Sequence, residues 1–395
     1  MSFWRDITKP IIGLSPMDGV TDASFRFITA KYGRPDVTLT EFVNVEAAFY
    51  APHTLLRDLA YSEIERPIVA QIYGHTPDYF YRVAHLICEF GFDGLDINMG
   101  CPAKTVSSKG SGAGLILKPE LARSIIRAAA QGVADWLAGQ TLDDLGMKPQ
   151  LIQGARDFNR RRTGRETPPA RRPIPVSVKT RLGYDNVIVE EWIQTLLEEQ
   201  PAAITLHGRT LKQQYKGSAD WEAIARAVEL ARRSSTLILG NGDLRNMTDV
   251  CRRVAESKVD GVLIGRAAQG EPWIFCAKEQ AKQALASGGN FDAIRAAPVS
   301  LAERFRVILE HSGHFAKHTQ IHSFVGMRKH LAWYCKGSPG AAELRARIVR
   351  VNSIAEVAAC LRDYAAALGA PAEEMNAALF GGRSAIPMSD GSLQL

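Results

Sequence analysis

The sequence predicts an α/β protein, a (β/α)8 TIM barrel followed by an all-helical domain. Three observations carry that expectation. Short apolar runs of strand length alternate with stretches of helical periodicity. The chemically unusual residues fall where those runs end, and beyond about Ala296 only helical patterning continues. A chain of 395 residues suits a barrel of about 250 residues with an appended domain. The expected division is 1–295 for the barrel, 296–370 for the helical domain and 371–395 for a loosely ordered tail.

The candidate strands, in order, are Ile11–Ser15, Leu39–Val43, Ile68–Tyr73, Leu95–Met99, Val176–Thr180, Ile204–His207, Leu237–Gly240 and Val262–Gly265. Between them, apolar residues recur at three- and four-residue spacing over Asp78–Phe90, Pro119–Trp136, Val189–Glu199, Asp220–Arg232 and Met247–Ser257. Periodicity does not establish closure, so an open doubly wound sheet is the competing architecture. In both, ligands gather at the carboxyl ends of the strands.

The segment 138–172 interrupts the alternation. Its run `RDFNRRRTGRETPPARRP` is rich in Pro and Arg, which disfavours a packed core, and it is read as a mobile basic surface insertion. After it and the remaining strands, Leu301–Phe315, Ile321–Trp333, Ala341–Val349 and Ser353–Leu368 form the expected helical bundle.

Composition is that of a globular chain, with 46% hydrophobic and 23% charged residues, which excludes a disordered or fibrous protein. The N-terminus shows neither a signal-peptide pattern nor a membrane span, so a cytoplasmic location is expected. Six cysteines lie scattered without CxxC or CxxxH spacing, which fits reduced thiols better than disulfides or a zinc centre. The net charge of +6 is modest, yet basic residues concentrate in 156–172 and 301–350, where they could meet phosphate. An ordinary solvated face explains that charge equally well.

The strand ends carry the chemistry. `SVKTR` turns Lys179 and Arg181 to the same side of a strand, and `TLHGRT` brings His207 and Arg209 to the next strand's end. Cations turned into a barrel mouth are costly unless they meet an anion. `ILGNGDL` and `VLIGRAAQG` supply Asn241, Gly242, Gly265 and Arg266 at the last two strands, where barrels commonly bind phosphate. No P-loop, HExxH, GxSxG or GxGxxG competes with this reading. Cys101 follows the fourth strand in `DINMGCPAKT`, and from its setting alone it is a nucleophile, an acid or a packed thiol.

A series of blocks then points to a family. `PMDGVTDASFR`, `TEFV`, `VAQIYG`, `DGLDINMGCPAKTV`, `GSGAGL`, `PVSVKTRLGYD`, `ITLHGRTLKQQYKG`, `GNGDL`, `DGVLIGRAAQGEPWIF` and `MRKHLAWYCKG` occur in this order over most of residues 11 to 340. Together they resemble the flavin-dependent tRNA-dihydrouridine synthases of bacterial type. The resemblance implies reduction of the C5=C6 bond of a uridine in tRNA by FMN, itself reduced by NADPH or NADH. Hydride would pass from flavin N5 to C6, and Cys101 would protonate C5.

The same resemblance assigns FMN to Pro16, Met17, Gln71, Lys179, His207, Asn241, Gly242, Gly265 and Arg266. Asn98 and Arg181 would orient the uracil, and Arg328, Lys329, His330 and Lys336 would hold tRNA phosphates. No metal, membrane or protein partner is implied, and a monomer is expected. Two features depart from the family pattern: the 138–172 insertion, and Asp18 where a small or apolar residue is common. Two further readings remain beside this one, an FMN barrel oxidoreductase of a small unsaturated ring and a noncatalytic RNA-binding barrel.

Overall fold

A computed structural model describes residues 2–164, 170–318 and 323–369. Its centre is a closed barrel in which β1 (Ile11–Leu14), β2 (Thr38–Asn44), β3 (Ile68–Tyr73), β4 (Gly94–Met99), β5 (Val176–Arg181), β6 (Ala203–His207), β7 (Leu237–Asn241) and β8 (Gly261–Ile264) pair in sequence order. All pairings are parallel, and Ile11 opposite Gly261 through Leu14 opposite Ile264 closes the ring. Closure removes the open-sheet alternative.

Side chains alternate across each strand, so one phase faces the surrounding helices and the other the barrel interior. At the amino end the interior phase is apolar. Ile11, Leu39, Val69, Leu237, Leu239 and Leu263 form one buried cluster together with Trp4, which is 1% exposed. Burying each such side chain contributes about 1.5–3 kcal/mol. Toward the carboxyl end the same phase becomes polar. Gln71 lies opposite Asp96, Asp96 opposite Ser177, Asn98 opposite Lys179, Arg181 opposite His207 and His207 opposite Asn241. One face of the barrel is thus a plug and the other a site.

The helical region has its own apolar core, built from Phe305, Ile308, Met327, Leu331, Leu344, Ile348 and Leu361, into which the barrel sends Ile28 and Trp273. Its helices run Leu301–His318, Val325–Tyr334, Ala341–Ile348 and Ile354–Ala367. Gly270 is the close contact between the two parts. It adopts φ 74°, and a Cβ there would stand 2.4 Å from the carbonyl of Trp333. The expectation for Ile321 and His322, and that for the 371–395 tail, lie outside the described residues.

The insertion differs from its expectation. Pro149–Thr163 is a helix that buries Leu151, Ile152, Ala155 and Phe158, and its Phe158 ring packs at 5.0 Å from Phe90 and 5.4 Å from Tyr61. The arginines do not prevent packing, because the one on that face, Arg162, covers the Phe158 ring with its guanidinium. Arg162 lies over the Tyr61 ring and pairs with Glu63.

Candidate active site

The carboxyl ends of the strands open into a cavity of about 1880 Å³. Pro16, Met17, Asp18, Asn98, Cys101, Lys179, Arg181, His207, Asn241, Gly242, Gly265 and Arg266 line it, and Lys336 reaches it from the helical region. Most residues singled out in the sequence therefore share one space.

Cys101 is held by a relay of side chains. The Asn98 Oδ1 accepts the backbone N–H of Gly100 at 3.0 Å and of Cys101 at 2.9 Å. Asn98 Nδ2 donates to Gln71 Oε1 at 2.9 Å, and Gln71 Nε2 donates to Asp96 Oδ2 at 2.7 Å. Ser177 Oγ donates to the other Asp96 oxygen at 2.7 Å. Gln71 is 0% exposed and is not among the residues that line the cavity. Its side-chain bonds run to Asn98 and Asp96, which ties it to the Cys101 turn. Arg181 braces the turn from the other side, donating from Nε to the Gly100 carbonyl at 2.6 Å and from Nη1 to the Thr210 carbonyl at 3.1 Å.

Burial decides the state of Cys101. It raises the thiol's pKa above the ordinary 9.0, and Asp18 acts in the same direction. The Ala103 N–H and the cations Arg181 and Lys179 pull the other way without prevailing. At neutral pH the group is a thiol, able to give up a proton.

The opposite wall is cationic. Burial, then the adjacent Arg181, lowers the Lys179 pKa to about 8, and Lys179 Nζ finds one partner in Asn241 Oδ1 at 3.2 Å. Burial and four cations, Lys179, Arg181, Arg209 and Arg266, push His207 down to about 2, so its imidazole is neutral. Arg181 is lowered to about 10 by burial first. This wall stabilises an anion.

The corner between β7 and β8 is open to close approach. Gly242 has φ 128°, which L side chains rarely adopt, and a Cβ there would lie 2.8 Å from Ala219 Cβ and 3.2 Å from His207 Cδ2. Asp243 accepts from Arg209 at 2.7 Å and from Arg266 at 3.0 Å, fixing both guanidinium groups. Neutral His207, charged Lys179, bare backbone at Gly242 and the fixed Arg266 suit a phosphorylated, ring-bearing anion.

The helical block behaves less uniformly than expected. Lys336 is exposed and lines the cavity. Lys329 donates to the Gly19 carbonyl in the loop after β1. Arg328 is engaged within the helical region, with the Val351 carbonyl at 2.9 Å and Asn352 Oδ1 at 2.6 Å. His330 corrects the expectation of a phosphate contact: it is 1% exposed, with Nε2 at 3.2 Å from Asp22. A group so enclosed does not meet RNA.

Sequence reasoning passed over Asp96 and Asp243, and the rim arginines Arg245, Arg252 and Arg295 that also line the cavity. Asp96 carried a readable signal, since it lies two residues before Asn98 on one strand and so faces the same way. The rim arginines carried none, because they come from separate loops and helices.

A model of the dihydrouridine synthase (Dus) family matches residues 13–136 and 169–368, and the interval it skips overlaps the insertion. The chain is 31% identical over 370 residues to a probable tRNA-dihydrouridine synthase of Staphylococcus aureus (strain COL), covering 92% of this chain and 96% of that one. It is 30% identical over 368 residues to probable tRNA-dihydrouridine synthase 2 of Bacillus subtilis (strain 168), again over 92% and 96%. Among solved structures, DHODH from Eimeria tenella superposes with a TM-score of 0.43 at 14% identity, over 72% of this chain and 84% of that one. That last likeness is distant, and nothing further follows from it.

Proposed function

The chain belongs to the dihydrouridine synthase family, an oxidoreductase family, and from that premise we propose that it reduces the C5=C6 bond of particular uridines in tRNA. The observation that carries the reading is the meeting, in one cavity, of a protonated Cys101 thiol and a buried cationic wall with a glycine-opened corner.

FMN is the cofactor this wall fits, with NADPH or NADH as the source of electrons. Lys179 would face the negative edge of the ring, His207 would pack beside it as a neutral donor or acceptor, and Pro16 and Met17 would wall it from the β1 loop. Asn241, Gly242, Gly265 and Arg266 would take the phosphate. The chemistry FMN would supply there is hydride for C6 of the uracil.

The chain's own residues do the rest. Charge developing at C5 and O4 is quenched by proton transfer from Cys101 Sγ to C5, a step worth about 10²- to 10⁴-fold when the acid is positioned. Asn98 fixes the turn that carries Cys101 and lines the cavity beside it, and Arg181 supplies a cation near the uracil. A uridine must leave the tRNA fold to reach this depth. Lys336, on the helical side of the same cavity, and Lys329, beside its β1 loop, would hold the backbone of the extruded strand.

The test is a two-step flavin experiment without oxygen. NADPH should reduce the protein's flavin, and an unmodified tRNA transcript should then reoxidise it. Reoxidation by a small unsaturated ring such as orotate, with none by tRNA, would move the assignment to small-molecule reduction.

A further inference from the structure

The helical region meets the barrel across a face rich in histidine. The Leu301–His318 helix carries His311 and His314, the Val325–Tyr334 helix carries His330, and Asp22 caps the barrel helix Ala23–Tyr32. His311 and His330 are each 1% exposed, with ring centroids 4.9 Å apart.

The lone pairs at this junction are only partly used. Asp22 Oδ1 accepts the backbone N–H groups of Ser24 and Phe25, both at 2.9 Å, and Oδ2 is left facing His330 Nε2 at 3.2 Å. His311 Nδ1 lies 3.0 Å from the Tyr334 hydroxyl. Two buried ring nitrogens then have no polar contact at all, His311 Nε2 and His330 Nδ1, and His330 Nε2 has only the Asp22 carboxylate. Buried polar atoms nearly always find partners, and an orphan costs about 1–3 kcal/mol.

We propose that Asp22, His311 and His330 bind one divalent cation of the zinc class, completed by water, and that this ion fastens the helical region to the barrel. One donor atom from each residue lies within 4.8 Å of the others. Donors around a tetrahedral zinc ion sit roughly 3.3 Å apart, so the Asp22–His330 edge, at 3.2 Å, already has the right length, and the His311 donor, within 4.8 Å of the others, needs to close by at most about 1.5 Å. Two imidazoles and one carboxylate are a donor set for first-row divalent ions.

The surroundings agree with this. If His311 donates its Nδ1–H to Tyr334, its Nε2 lone pair is free, the arrangement that orients metal-bound histidines. Phe25, Phe315 and Trp333 rings pack around His330 at 5.6, 6.4 and 5.1 Å. Asp22 keeps 24% side-chain exposure, which provides the way in for the ion and its water. The loop just before Asp22 includes Pro16, Met17 and Asp18 of the cavity wall. An ion here would join the RNA-facing helices to the wall of the active site.

The experiment uses the full untagged chain, incubated with zinc, desalted and assayed by elemental mass spectrometry. Close to one equivalent should remain, and cobalt(II) should give ligand-field bands to the red of any flavin absorption. His311→Gln and His330→Gln should each weaken retention by at least about tenfold, while His314→Gln, outside the donor set, should not. Wild-type protein that retains no zinc and gives no cobalt bands overturns the site without needing any variant to fold. Retention unchanged in both His311→Gln and His330→Gln, with circular dichroism like wild type, overturns it as well.

Discussion

Asn98 holds Cys101 through one oxygen: its Oδ1 accepts the Cys101 backbone N–H at 2.9 Å and the Gly100 N–H at 3.0 Å. The last polar side chain of β4 thereby sets the direction of the turn that presents the thiol. Replacing it removes the acceptor and leaves two N–H groups to reorganise. Asn98→Ala should lower the rate of flavin reoxidation by tRNA about 100-fold, the scale expected for a displacement of about one ångström. NADPH reduction of the same flavin, followed by its absorbance, should change little. Loss of both half-reactions together would show a general defect instead.

Cys101 itself should separate the half-reactions more sharply. Cys101→Ala should slow the tRNA-dependent step by about 10²- to 10⁴-fold and leave NADPH oxidation intact. Because burial raises the thiol's pKa above 9.0, the acid keeps its proton through neutral pH. Single-turnover rates with tRNA should therefore stay flat there and fall only on the alkaline side of 9.0. A rate that falls between pH 6 and 8 (on the order of one proton's titration) would mean another group supplies the proton.

Lys179 gives a pH dependence to cofactor binding. Its pKa in the free protein is about 8, lowered by burial and Arg181. Binding an anion favours the ammonium, so affinity for FMN should be full below that value and decline as pH rises through it. Lys179→Met should weaken FMN binding roughly 10- to 100-fold at neutral pH, the scale of a charge-assisted hydrogen bond, and should flatten the decline. Fluorescence quenching of FMN titrated with apoprotein measures both.

Arg26 and Glu65 test the scaffold under the site. Their side chains are each 1% exposed and meet at 2.8 Å, and Arg26 also donates to the Thr21 carbonyl at 2.8 Å. Glu65→Ala leaves a buried guanidinium without its counter-charge and should cost about 3–5 kcal/mol in urea denaturation. A loss below about 1 kcal/mol would place this pair among ordinary surface bridges.

The barrel was legible because parallel strands buried on both faces read as unbroken apolar runs. The strand Ile68–Tyr73 and the helix Met247–Ser257 coincide with their expected limits, and no other strand end differs by more than one residue. The insertion was not legible by composition. Its arginines mask Leu151, Ile152, Ala155 and Phe158, whose spacing nonetheless forms one helical face. His330 shows the same lesson in reverse. Met327, His330, Leu331 and Tyr334 recur at three- and four-residue spacing and are all buried, so `MRKHLAWY` turns its histidine inward even though its neighbours are basic. Which polar groups bond to one another across strands, such as Gln71 to Asp96, depends on register, and register appears only once the ring is closed.

The central claim is that a thiol on the β4 turn completes the reduction of a tRNA uridine. Its most direct test is mass-spectrometric mapping of unmodified tRNA after incubation with the protein, FMN and NADPH, beside the same reaction with Cys101→Ala. The native chain should give a gain of two mass units (about two hydrogens, one delivered as the general-acid proton) at defined uridines, and the variant almost none. No gain on any tRNA, from protein whose flavin is bound and reducible, would contradict it.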